Sequence, residues 1–84
     1  MNRYNKLKLR ALSAFARESG KWLKPSLVAE RLDFWARRSA WTYFRRLWRF
    51  GLLERREQGK GTLEYRINKS GAARLRWLSS RSEA

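Results

Sequence analysis

Between Arg37 and Arg56 the chain carries seven arginines and a single acid, Glu54. The i,i+4 ion pairing that ordinarily accounts for a charged helix is not available at that ratio. Unpaired guanidinium groups are suited instead to phosphate, which arginine grips through a planar fork of N–H donors. Ser39 and Thr42 add hydroxyl groups able to meet phosphates or base edges. Trp41 has Arg37 and Arg45 four residues to either side, the spacing for cation–π stacking, and Trp48 follows seven residues after it.

Other chemistry is poorly supplied. The 84 residues contain no Cys and no His, which removes thiolate nucleophiles, disulfides, Cys-ligated zinc and the commonest general base. Glu30 and Asp33 stand three apart, a poor metal site without further ligands, and are expected to form salt bridges to Arg31, Arg37 or a nearby Lys. No enzymatic activity, metal or cofactor is expected. Lys and Arg total 21 against 7 acids, a formal charge of +14, and the isoelectric point is near 11.6, which calls for a polyanionic partner. The hydrophobic share of 43% is enough to fill a core, so the whole of 1–84 is expected to fold as one domain, with 1–3 and 79–84 frayed. No apolar run approaches the roughly 18 residues that span a bilayer, and the segment from Met1 to Lys6 leads into a charged amphipathic stretch rather than a signal-peptide core. No membrane contact is expected, and the location is read as cytoplasmic, at the nucleoid if the source is prokaryotic.

The elements that must position these groups follow from periodicity. Leu7, Ala11, Ala14 and Phe15 form one face of a helix from about Tyr4 to Arg17, and Leu9, Leu12 and Ala16 form a second stripe, wider than one core contact requires. Lys21 to Lys24 reads as a short bridging strand or extended link before Pro25, which starts a helix running to about Leu32 or Asp33. Ala40, Tyr43, Phe44 and Leu47 then face inward on a third helix, from about Ala36 or Arg37 to Phe50, closed by Gly51. Leu52–Glu57 and the alternating run from Thr62 to Ile67 predict two strands joined at Gln58-Gly59-Lys60-Gly61. Asn68 caps a final helix bearing Ala72, Leu75 and Leu78 on one face and Ala73 and Trp77 on another.

The fold class is thus mainly α with one small β-hairpin (α+β), in the order α-β-α-α-β-β-α. Three segments carry a resemblance: Leu27-Val28-Ala29-Glu30-Arg31-Leu32; the run Leu47-x-x-x-Gly51-Leu52-Leu53-Glu54-Arg55; and Tyr65-Arg66-Ile67-Asn68-x-x-Gly71. In this order and spacing, over about half of the chain, they resemble the winged helix-turn-helix regulators of the MarR-like and PadR-like kind. Those families carry Leu and Thr where Ile67 and Asn68 stand. The stretch from Leu32 to Ala36 is about one residue longer than their usual turn and holds Trp35. The resemblance implies sequence-specific binding of double-stranded DNA by a small transcriptional regulator. The third helix would enter the major groove and the wing tip, 58–61, would lie on the minor groove or backbone.

On that reading Arg37, Arg38, Ser39 and Thr42 meet bases, and Arg45, Arg46 and Arg49 meet flanking phosphates, with Trp41 on the same helix. Arg55, Arg56, Lys60 and Arg66 surround the wing tip, with Lys60 at its apex, and Ser26 at the start of the second helix adds a phosphate contact. Trp22 is expected as core beside the wing, Trp35 as a plug at the helix-turn-helix corner, and Trp41 and Trp48 as partly buried packing. The surplus stripes Leu9, Leu12, Ala16, Ala73 and Trp77 are expected to serve a homodimer. Two alternatives stand beside this reading: a binder of DNA or RNA without sequence preference, and a protein-interaction module that docks through Trp41 and Trp48.

Overall fold

A computed structural model describes residues 3–18, 20–32, 37–59 and 61–82. It is a small α+β fold of four helices and one antiparallel hairpin: α1 (Arg3–Ala16), α2 (Pro25–Leu32), α3 (Arg37–Arg49), β1 (Leu53–Gln58), β2 (Thr62–Ile67) and α4 (Lys69–Ser82). The observed order is therefore α-α-α-β-β-α, and the expected strand between the first two helices is replaced by a single bridge. Leu23 and Tyr65 exchange both backbone hydrogen bonds, at 2.8 and 2.9 Å. The ladder cannot lengthen because Pro25 has no N–H, and the Lys24 carbonyl is already taken by Leu27 and Val28 at the start of α2. Two boundaries also move outward: α1 begins at Arg3, and α4 runs through 79–82, where fraying was expected.

The core gathers one face of every element. Phe15 of α1 and Phe44 of α3 meet edge to face, ring centroids 5.3 Å apart at 85°. Around them Leu12, Val28, Leu47, Leu53 and Leu78 are buried almost completely. Leu12 thus corrects the expectation of a dimer stripe on α1: it belongs to the core of a single chain, and Leu9 and Ala16 beside it pack partly against that core. The extra width of the apolar arc is used within the molecule, because α1 packs against α2, β2 and α4 at once.

The connection from α3 to the hairpin is held by backbone geometry. Gly51 takes φ +78°, its N–H donates to the Trp48 carbonyl at 2.9 Å, and the Leu52 N–H donates to the Leu47 carbonyl at 3.0 Å. This pair of bonds is a Schellman cap, and it turns the chain directly into β1. The hairpin register pairs Leu53 with Ile67, Arg55 with Tyr65 and Glu57 with Leu63, alternating with Glu54–Arg66, Arg56–Glu64 and Gln58–Thr62. Side chains alternate across a strand, so the first set shares the core face and the second faces out. At the far end Asn68 caps α4, its Oδ1 accepting from the Gly71 N–H and its Nδ2 donating to the Gly51 carbonyl, both at 2.8 Å.

Candidate nucleic-acid interface

Helix α3 divides sharply into two faces. Ala40, Phe44 and Leu47 are wholly buried, while Ser39, Trp41, Thr42, Arg45, Arg46 and Arg49 are all exposed. The division follows from spacing alone: residues three, four and seven apart share a face, and the core takes the apolar one. Trp41 is 52% exposed, large for an indole and well beyond the partly buried packing expected for it. Arg37 and Arg38 open the helix, and their side chains lie outside the described residues. Tyr43 sits half-buried at the boundary of the two faces. Burial pushes its hydroxyl up to about 12, against a smaller opposing pull from Arg46.

Beside α3 runs an open cleft of about 450 Å³. Trp41, Thr42 and Arg45 form one wall, Lys24, Pro25 and Ser26 at the start of α2 a second, and Gly61, Thr62, Leu63 and Tyr65 of the hairpin a third. In the first turn of α2 Pro25 has no N–H and those of Leu27 and Val28 bond to the Lys24 carbonyl, which leaves the Ser26 N–H at the positive end of the helix dipole, beside this space. The structure thus brings together Ser26 with Trp41, Thr42 and Arg45, and sets the hairpin tip next to them. Lys24, Thr62 and Tyr65 are cleft residues that the sequence does not single out. The alternation of 62–67 and the Lys24-Pro25 junction are signals for their elements, but it takes the Leu23–Tyr65 bridge and the packing of α2 on β2 to set the hairpin against the start of α2.

The hairpin arginines are placed differently from expectation. They do not surround the tip: Arg66 pairs with Glu54 near the base of the hairpin, and Arg56 lies midway. Arg66 donates from Nε to Glu54 at 2.7 Å, and Arg56 from Nε to Glu64 at 2.9 Å, directly across the strands. Both guanidinium groups also lie over Trp22, 4.4 and 4.7 Å from its ring centroid. Trp22 is therefore a half-buried cover on the outer face of the hairpin and not the core residue it was expected to be. Arg55 stacks on Trp48 at 3.5 Å and seals a second indole against the core. Lys60 at the tip and Trp35 lie outside the described residues.

A third ion pair among the described residues joins side chains that do not line the cleft. Arg31 of α2 bonds to Glu18 just after α1, and this hydrogen bond holds the Glu18 carboxyl below its ordinary range. Arg31 thereby takes Glu18 as its partner, where a pairing of Glu30 or Asp33 with Arg31, Arg37 or a nearby Lys was expected; Asp33 lies outside the described residues. Ala73 and Trp77, the other expected dimer contacts, are exposed on α4, Trp77 at 45%. Among the described residues no three His, Cys, Asp or Glu side chains gather into a metal site, and no helix is long and apolar enough to cross a membrane. Comparison with protein-family models, with curated proteins and with solved structures finds no match to this chain.

Proposed function

We propose that the chain is a winged helix-turn-helix module that binds double-stranded DNA sequence-specifically, as a small regulator of transcription, with α3 in the major groove. The observation that carries this reading is the exposed, acid-free face of α3 beside the cleft shared with α2 and the hairpin tip. A major groove admits one α-helix, and Arg, Ser and Thr are the side chains that read or hold its edges. On this reading Arg37, Arg38, Ser39 and Thr42 face bases, while Arg45, Arg46 and Arg49 hold phosphates. Ser26, the start of α2 and the tip with Lys60 bracket the strand that passes through the cleft. Arg55, Arg56 and Arg66 take a supporting part, since their guanidinium groups are engaged with Trp48, Trp22, Glu54 and Glu64.

Fluorescence anisotropy across a salt series tests it, using a random duplex of about 30 base pairs, a duplex selected from a random pool, and single-stranded DNA and RNA. The selected duplex is expected to bind some 10³-fold or more tightly than the random one at physiological salt. Equal affinity for all of them with a steep salt slope would replace the regulator by a general nucleic-acid binder. No binding near 0.1 M salt would move the function to a protein partner, docked at Trp41, the exposed one of the two indoles expected to serve it.

A further inference from the structure

A second basic surface lies on α4, apart from the cleft. This helix buries Gly71 and Leu78, with Leu75 partly covered, and packs on α1, whereas α3 packs on α2 and β1. At 100° per residue Arg74, Trp77 and Arg81, spaced i, i+3 and i+7, share one flank of the helix beside that buried line, while Ala73 and Arg76 are turned away from it. All five are exposed, and α4 contains no acidic residue. Arg81 and Arg74 both lie over the Trp77 ring, 4.6 and 5.7 Å from its centroid.

The contrast with the hairpin gives these contacts their meaning. Arg56 and Arg66 also lie over an indole, but their N–H edges are spent on Glu64 and Glu54. On α4, among the described residues, no carboxylate bonds Arg74 or Arg81. Trp77 therefore gathers two guanidinium groups that no described carboxylate pairs, and a guanidinium carries N–H donors suited to phosphate. A second copy of the chain is a poor occupant, because face-to-face pairing would set Arg74 and Arg81 against the same two charges.

We infer that the Arg74–Trp77–Arg81 face of α4 binds the phosphate backbone of a second nucleic-acid duplex, so that one chain bridges two segments. The first segment is the one held at α3, and to that extent the inference rests on the proposed function. The test immobilises a biotinylated duplex of about 30 base pairs, adds protein, and measures capture of a second, fluorescent duplex. Wild-type protein is expected to capture it, and the variant Arg74→Gln/Arg81→Gln to lose capture by about tenfold or more while still binding the first duplex in anisotropy. Gln preserves helix propensity, and circular dichroism checks that the variant is folded. Undiminished capture by the variant overturns the inference, as does a wild type that binds one duplex and captures none. Sedimentation of the DNA-free protein as a dimer would overturn it in favour of a second copy on this face. If wild type binds no duplex at all, the proposed function itself falls.

Discussion

At the scale of single residues, Gly71 and Tyr43 carry the sharpest consequences. A Cβ placed on Gly71 would lie 2.1 Å from the Leu52 carbonyl oxygen and 2.8 Å from a side-chain carbon of Ile67. The oxygen is backbone, fixed by the turn between α3 and β1, so it cannot yield as a flexible side chain would. Gly71→Ala is expected to cost about 1–3 kcal/mol through overpacking, read as a fall in Tm of about 4–8 °C per kcal/mol for a domain of this size. Tyr43 makes stability depend on pH at the alkaline end. Its folded value of about 12 lies above the ordinary 10, so the neutral phenol is the form that folding favours. That contribution is complete below pH 10 and is lost as pH rises toward 12. Ultraviolet titration should find the Tyr43 phenol ionising above the ordinary 10, and Tyr43→Phe should flatten the fall in stability over this window.

Among the elements, α3 and the hairpin divide the arginines into two groups with different expected behaviour. Arg45, Arg46 and Arg49 are exposed on α3, whereas Arg56 and Arg66 are tied to carboxylates directly opposite them. Replacing the three α3 arginines by Gln is expected to reduce the magnitude of the slope of log K against log salt by about 0.9 for each phosphate that is no longer neutralised. Neutralising the hairpin pairs together, Arg56→Gln with Glu64→Gln and Arg66→Gln with Glu54→Gln, leaves the net charge unchanged and should move the slope by less than about one. A larger change from the hairpin set would transfer the main interface to that element. The inward and outward faces of α3 were legible in the sequence because helical spacing assigns them without outside help. The pairing of the hairpin arginines was not, since cross-strand partners depend on register, and register depends on where the turn closes.

For the molecule as a whole, a net charge of +14 on 84 residues opposes compaction. Ionic strength should therefore stabilise the fold. Tm measured from about 0.02 to 0.3 M salt is expected to rise, because screening weakens repulsion among 21 cations more than it weakens the three described ion pairs. A flat or falling Tm would mean that Arg31–Glu18, Arg56–Glu64 and Arg66–Glu54 outweigh that repulsion.

The presence of the four helices, the hairpin, the cap at Asn68 and the acid-free character of α3 could be read from spacing and composition, because each depends on residues a few positions apart. Pro25, Gly51, Gly59 and Gly61 punctuate the chain locally in the same way. Long-range partners followed a different logic. Leu12 went to the core of one chain because α1 meets three elements at once, Trp22 went to the outer face of the hairpin, and Leu23 made one bridge where a strand was expected. In each case the side chain or backbone group had several physically acceptable partners along the sequence. Only the closing of the chain brought one of them within reach, as it also brought Ser26, Trp41 and Thr62 to a common cleft.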